Sequence, residues 1–273
     1  MSTLTLQQAL DQLRVQSGQY NSKQALYDLA KQVNVNAVGD VTILYSGQTT
    51  LEFNGKPLVS AQQILDGMKR NSESIRIIDD TDAAKFLGSK AFKDALASQY
   101  GLSPRDIDPL TNPTDLSPTK QAALKLMNDA LYHPTAGPWA QASGRFVEAT
   151  VGEVRTLTGG AGADRVFGQT EVPAALKNPT ITTIDGILRS ELDAKGEAEA
   201  FKAISAQSEA YSAGLRVATD ANGNILLDAD GQPRFDSRSQ TPDLPRRYNA
   251  AQRASTCISK TTAANQPYWL QAA

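Results

Sequence analysis

The stretch from Trp139 to Val172, WAQASGRFVEATVGEVRTLTGGAGADRVFGQTEV, limits the fold most tightly, because it holds two different periodicities with a break between them. Phe146, Val147, Val151 and Val154 recur near helical spacing, which predicts a helix from Trp139 to about Arg155 with one apolar face. Ser143, Arg145 and Glu148 occupy its other sides. The glycines Gly159, Gly160 and Gly162 end the helix, and Arg165 to Val172 reads as a short strand carrying Glu171. A helix bearing a Trp and a Ser, followed by a strand bearing a Glu, can form two walls of a cleft. Each signal also has an ordinary counterpart: a Trp at a helix start usually anchors a core, and a strand Glu is usually solvated.

Residues 1–38 read as an N-terminal helical extension ahead of a main body over 39–273, with amphipathic helices at Leu6 to Val15 and Ser22 to Val33 and Ser22 as an N-cap. VTILYSG at 41–47 is a β-branched run, a buried strand that presents Tyr45 at its end. A turn at Asn54-Gly55 leads to a helix over Ser60 to Arg70, with Ala61, Ile64, Leu65 and Met68 on one side. Ile75, Ile77 and Ile78 form a further extended segment closed by Asp79 and Asp80, after which Thr81 or Asp82 caps a helix beginning near Ala83. The acidic pair also suits the positive end of a helix dipole. Residues 102–118 form an irregular connection, Thr119 to Leu131 a helix, and His133 before Pro134 a loop. Pro173 starts a helical turn, ITTID at 181–185 is a strand, and Glu191 to Gly214 is a helix. DANGNILLDADGQPRF reads as a β-hairpin with turns at Asn222-Gly223 and Asp230-Gly231; without the terminal Glu of an EF-hand, its acids serve turns and not calcium. Together these elements give an α+β chain.

Composition removes several functions. The 27 basic and 29 acidic residues are mixed along the chain, so no footprint for nucleic acid or an anionic membrane stands out. The single cysteine, Cys257, allows no internal disulfide, and with the single histidine it makes no His/Cys zinc site. No eighteen-residue apolar run and no signal-peptide pattern occur, so the expectation is a cytoplasm-compatible protein, or one exported by a signal-peptide-independent route.

Four separated segments, in order, resemble the ADP-ribosyl cyclases and NAD glycohydrolases of animals. LYSG at 44–47 is similar to that family's LWS strand, IIDDTDAAKFL at 77–87 to its TLEDTLLGYL element, WAQASGRFVEA at 139–149 to its WKTVSRRFAEA helix, and FGQTEV at 167–172 to its FGSVEV strand. The resemblance covers mainly residues 41–172. Tyr45 stands in place of a Trp, Asp79 in place of a Glu and Gly47 in place of an Arg, and the family's disulfides are missing.

The resemblance implies a two-lobed ADP-ribosyl cyclase-like fold, a helical lobe and a lobe with a small central sheet, with the active-site cleft between them. It implies cleavage of the nicotinamide–ribose bond of NAD+, with Glu171 as the catalytic carboxylate, Trp139 and Tyr45 stacking on rings, and Asp79 or Asp80 orienting the carboxamide. Ser46, Ser143, Arg145 and the backbone near Phe167 would bind the pyrophosphate. No metal or second cofactor is needed, because nicotinamide is already a good leaving group, and hydrolysis is favoured over cyclisation. An NAD-depleting toxin acting in a target cell, paired with an immunity or inhibitor protein, is the biology this suggests. Two other readings stay open: a protein ADP-ribosyltransferase, for which Gln169 and Glu171 supply a Gln-x-Glu pair, and a non-catalytic interaction module.

Overall fold

The run Val41–Tyr45 forms β1, and its three central residues Thr42, Ile43 and Leu44 are all buried, as expected of a strand covered on both faces. In the computed structural model the described residues are 3–16, 18–46, 50–53, 56–70, 74–158, 161–214, 220–222, 224 and 226–227. Gly47, the Asn54-Gly55 turn, Gly159, Gly160, Cys257, the tail from Ser237 and the expected hairpin over 220–235, apart from six of its residues, lie outside them.

The fold is α+β. A five-stranded mixed sheet runs in the order β4 (Ile75–Arg76), β1, β5 (Gly152–Leu157), β6 (Ile181–Ile184) and β7 (Ile187–Leu188). The first four strands are parallel and β7 is antiparallel to β6. The chain leaves β1 for β4 on one side and returns to β5 on the other, so strand order reverses at β1. Outside the carboxyl ends of such strands lies the usual crevice of an open α/β sheet. A separate hairpin pairs β2 (Thr50–Phe53) with β3 (Lys56–Ser60).

The helices begin where the sequence says they should. In α1 (Leu6–Val15), α2 (Lys23–Ala30) and α4 (Asp82–Gly88) the caps are Thr5, Ser22 and Thr81, whose hydroxyls accept from Gln8, Ala25 and Ala84 N. Helix α3 is Ala61–Arg70, α5 Lys90–Ser98 and α6 Pro118–Leu131. The expected helix over Glu191 to Gly214 is two, α9 (Arg189–Lys195) and α10 (Glu197–Gly214), separated at Gly196. One apolar core joins Ala9, Leu26 and Leu29 of the N-terminal helices with Phe86, Phe92, Phe146, Val154, Ile184 and Ile204. No described helix is long and apolar enough to cross a membrane.

Two expectations around the central stretch are corrected. The helix that starts near Trp139 is α7 (Pro138–Glu148) and stops well short of Arg155; residues Gly152–Leu157 are the strand β5 beside β1. Gly152 takes a φ of 86°, and the Asn178 amide donates to the carbonyls of Val147, Glu148 and Thr150 at 2.9, 3.1 and 2.9 Å. That side chain satisfies the end of α7 from a distant part of the chain, which no local pattern reveals. The second correction concerns Glu171, which is on no strand. Phe167–Glu171 is a π-helical turn that runs into α8 (Val172–Lys177). Val172 N donates to Phe167 O, five residues back. Pro173 has no N–H and its ring crowds the carbonyl four residues earlier, so a widened turn just before it relieves the clash.

Candidate active site

A cavity of about 510 Å³ opens at the carboxyl ends of β1 and β5, a volume typical of small-molecule sites. Tyr45 and Ser46 enter it from the end of β1, Ser143 and Trp139 from α7, and Phe167 and Glu171 from the π-turn. These six are the sequence candidates that the fold brings together. Turns of this wide type are rare and are frequently found at functional sites.

The π-turn reaches α7 because small residues let it. Ala140, Ala142, Ser143 and Gly144 are buried on α7, and a Cβ at Gly144 would lie 3.2 Å from Thr170 Cγ2. Gly168 is more demanding, since a Cβ there would meet Ala163 O at 2.4 Å. Thr170 Oγ1 donates to Pro134 O at 2.6 Å and ties the turn to the α6–α7 loop. The consequence is that Glu171 packs beside Ser143, whose hydroxyl hydrogen-bonds its carboxylate.

Glu171 is only 6% exposed, and burial raises its carboxyl from 4.5 to about 7 against the opposing Ser143 bond. No cationic side chain offsets it among the described residues: Ser143 alone stabilises the ionised form. An acid displaced to neutrality in a cavity is a functional candidate on physical grounds.

Trp139 is half-buried and stacks on Tyr132, with ring centroids 6.4 Å apart and planes 14° from parallel. Its indole N–H is buried without an acceptor among the described residues. Tyr45 donates its hydroxyl to Asp79 Oδ2. Burial first, then the Asp79 charge, pushes the phenol far above its ordinary value, with Glu171 adding to the shift. Burial likewise raises Asp79, while the Tyr45 bond opposes it.

Asp79 therefore stands behind Tyr45 and is not among the residues lining the cavity. Asp80 is also outside the lining: it pairs with Lys69 at 2.5 Å and accepts from Ile77 N at 3.4 Å. Arg145 departs from expectation most clearly. Its guanidinium donates to Val33 O at 2.9 Å and Ala30 O at 3.2 Å, so it closes the end of α2 and does not line this cavity. Helical geometry explains this, because residues two apart on α7, Ser143 and Arg145, do not face the same way.

The remaining wall was not legible in the sequence. Asn128, Tyr132 and His133 line it from the end of α6, and Asp164, Arg165 and Val166 from the loop after β5. The Tyr132–Pro134 segment reads as a plain connection, and only the stacking on Trp139 reveals its part. His133 Nδ1 accepts from Ala136 N at 3.2 Å, which holds the loop. No group of three or more His, Cys, Asp or Glu able to hold a metal ion occurs among the described residues. Comparison with protein families, with curated proteins and with solved structures finds no match.

Proposed function

We propose that the cavity cleaves the bond between nicotinamide and ribose in NAD+, as an NAD glycohydrolase or ADP-ribosyl cyclase. The carrying observation is Glu171: a buried carboxylate with no cationic partner among the described residues, in a cavity that Tyr45 and Trp139 also line. Holding the ionised form there costs about 3 kcal/mol. A ligand that brings its own positive charge offsets that cost. In this reading the helices around α6 and α7 and the lobe built on the sheet are the two halves of an ADP-ribosyl cyclase-like fold with the cleft between them.

The chemistry follows from the charge. The C1′–N bond breaks with its electron pair going to the pyridinium ring, which leaves as neutral nicotinamide, and positive charge develops on the ribose carbon. An anion already in place and poorly hydrated stabilises that charge without reorganisation. Water then bonds to C1′ and releases one proton, giving ADP-ribose; attack by the adenine of the same molecule gives a cyclic product instead. The exposed rim of Asp129, His133, Asp164 and Arg165 leaves the mouth open to water, which favours hydrolysis. Trp139 and Tyr45 supply ring faces for the departing base. Asp79 acts through Tyr45, by fixing its ring, and not by touching the carboxamide. An NAD-depleting role in a target cell, with a dedicated inhibitor in the producer, extends the same reading.

The transferase reading is weaker on geometry. Gln169 is exposed and its amide donates to Ala163 O at 2.8 Å, and it does not line the cavity, so the Gln-x-Glu pair does not converge. A non-catalytic module would carry the cost of a buried Glu171 with no cationic partner among the described residues for no purpose. The test is NAD+ consumption by the purified protein with chromatographic identification of products. Nicotinamide with ADP-ribose or its cyclic form is expected; label transferred to protein would favour the transferase, and no consumption would refute the reading.

A further inference from the structure

The cavity is graded in depth and in charge. Its floor is made by Ser46, Ser143, Phe167 and Glu171, each at most 6% exposed, and its rim by Asp129, His133, Asp164 and Arg165, all exposed. Arg165 is the one permanently cationic side chain among the described lining residues. Three other arginines are engaged elsewhere: Arg155 pairs with Glu153 at 2.7 Å, Arg189 donates to Leu176 O at 2.6 Å, and Arg145 is bound at the end of α2. Arg165 makes no ion pair among the described residues. Of the two acids on the rim, Asp129 pairs with Lys125 at 2.5 Å, and the Asp164 carboxylate lies over Gly162.

The backbone of Arg165 is fixed on the same piece of chain as Glu171. Its N–H donates to Gly162 O at 3.1 Å and its carbonyl accepts from Gln169 N at 2.8 Å. A guanidinium at the mouth and a carboxylate on the floor are thus held by one turn. The matching ligand is cationic at its inner end and anionic further out. A phosphorylated ribosyl-nicotinamide has that polarity, because its 5′-phosphate is tethered to the reacting ribose on the side away from the base.

We infer that Arg165 binds the pyrophosphate of the dinucleotide at the cavity mouth, which rests on the NAD-cleaving reading and takes over the role that Arg145 cannot fill. It is a substrate-binding residue, and it selects substrates that carry phosphate next to the ribose.

The experiment compares wild type, Arg165→Gln and Arg165→Lys on NAD+ and on nicotinamide riboside, which has no phosphate. The ratio of kcat/KM for NAD+ over nicotinamide riboside should fall about 10- to 100-fold in Arg165→Gln, the size expected for a lost hydrogen bond to a charged group. Arg165→Lys should keep part of the ratio, since charge remains but the planar fork is lost. Calorimetric titration with ADP-ribose, which needs no turnover, should show weaker binding in Arg165→Gln by a similar factor. An unchanged ratio or unchanged ADP-ribose affinity overturns the assignment while leaving NAD+ cleavage standing. A wild type that binds ADP-ribose through Arg165 but cleaves no NAD+ upholds the anion site and overturns the catalytic reading.

Discussion

Replacing Glu171 by Gln should shift the stability of the folded protein relative to wild type upward as pH rises, while removing its activity. Burial holds the folded-state carboxyl at about 7 against 4.5 for the ordinary side chain. The folded state therefore binds the proton more tightly, so this stabilising contribution is complete below about 4.5 and is lost as pH rises through about 7. Of the total of about 3 kcal/mol, roughly 2.5 kcal/mol falls between about pH 5 and pH 8. Gln does not titrate. The stability of Glu171→Gln minus wild type should thus increase by about 2.5 kcal/mol across that interval in urea unfolding. The new amide N–H group costs about 1–3 kcal/mol if left unpaired, but that cost is the same at every pH and drops out of the comparison. Asp185, also raised to about 7 by burial, titrates in both proteins and cancels too. Turnover of NAD+ by the same preparation should fall roughly 100- to 1000-fold, from about 3–4 kcal/mol of lost transition-state stabilisation. A stability difference that stays flat with pH would refute the buried carboxylate with no cationic partner among the described residues. A rising difference with wild-type turnover would refute its catalytic role.

For wild type, kcat/KM should rise about tenfold per pH unit up to about 7 and then level, because the ionised carboxylate is the active form; a falling profile over that range would make Glu171 an acid and not an anion. The limb of kcat should lie at lower pH than that of kcat/KM, since bound cationic substrate favours the ionised form. Trp139→Ala should raise KM and slow cleavage, whereas Trp139→Phe should keep part of both, as a ring still faces Tyr132; equal global unfolding of both variants in thermal melts would mark Trp139 as a core anchor only. Arg145→Leu should lower stability by about 2 kcal/mol through the two lost bonds to α2 while leaving KM for NAD+ as it was, and a raised KM would restore its expected role at the pyrophosphate. Activity should survive strong thiol reductants, because one cysteine forms no internal bridge, and loss of activity on reduction would point to a link between chains.

Local pattern determined much of the framework. The start of α2 is written as Ser22 before apolar spacing, that of α4 as Thr81 or Asp82, and β1 as a β-branched run, because these features depend on neighbours a few residues away. Several residue types that line the cavity were legible too: Trp139, Ser143 and Glu171 stand out by chemistry and by their resemblance to one family. Tertiary structure decided the rest. Whether residues 152–157 extend α7 or join β1 turned on Asn178, about thirty positions away, and on the neighbouring strand. Glu171 sits on a widened helical turn because Gly144 and Gly168 allow close approach and Pro173 forbids a regular helix, whereas the glycine break before Arg165 to Val172 reads as the start of a strand. Arg145 does not line the cavity and Arg165 does, for a geometric reason. Which side of a helix or loop faces a cavity is set by packing between elements, and sequence spacing fixes only which residues share a side.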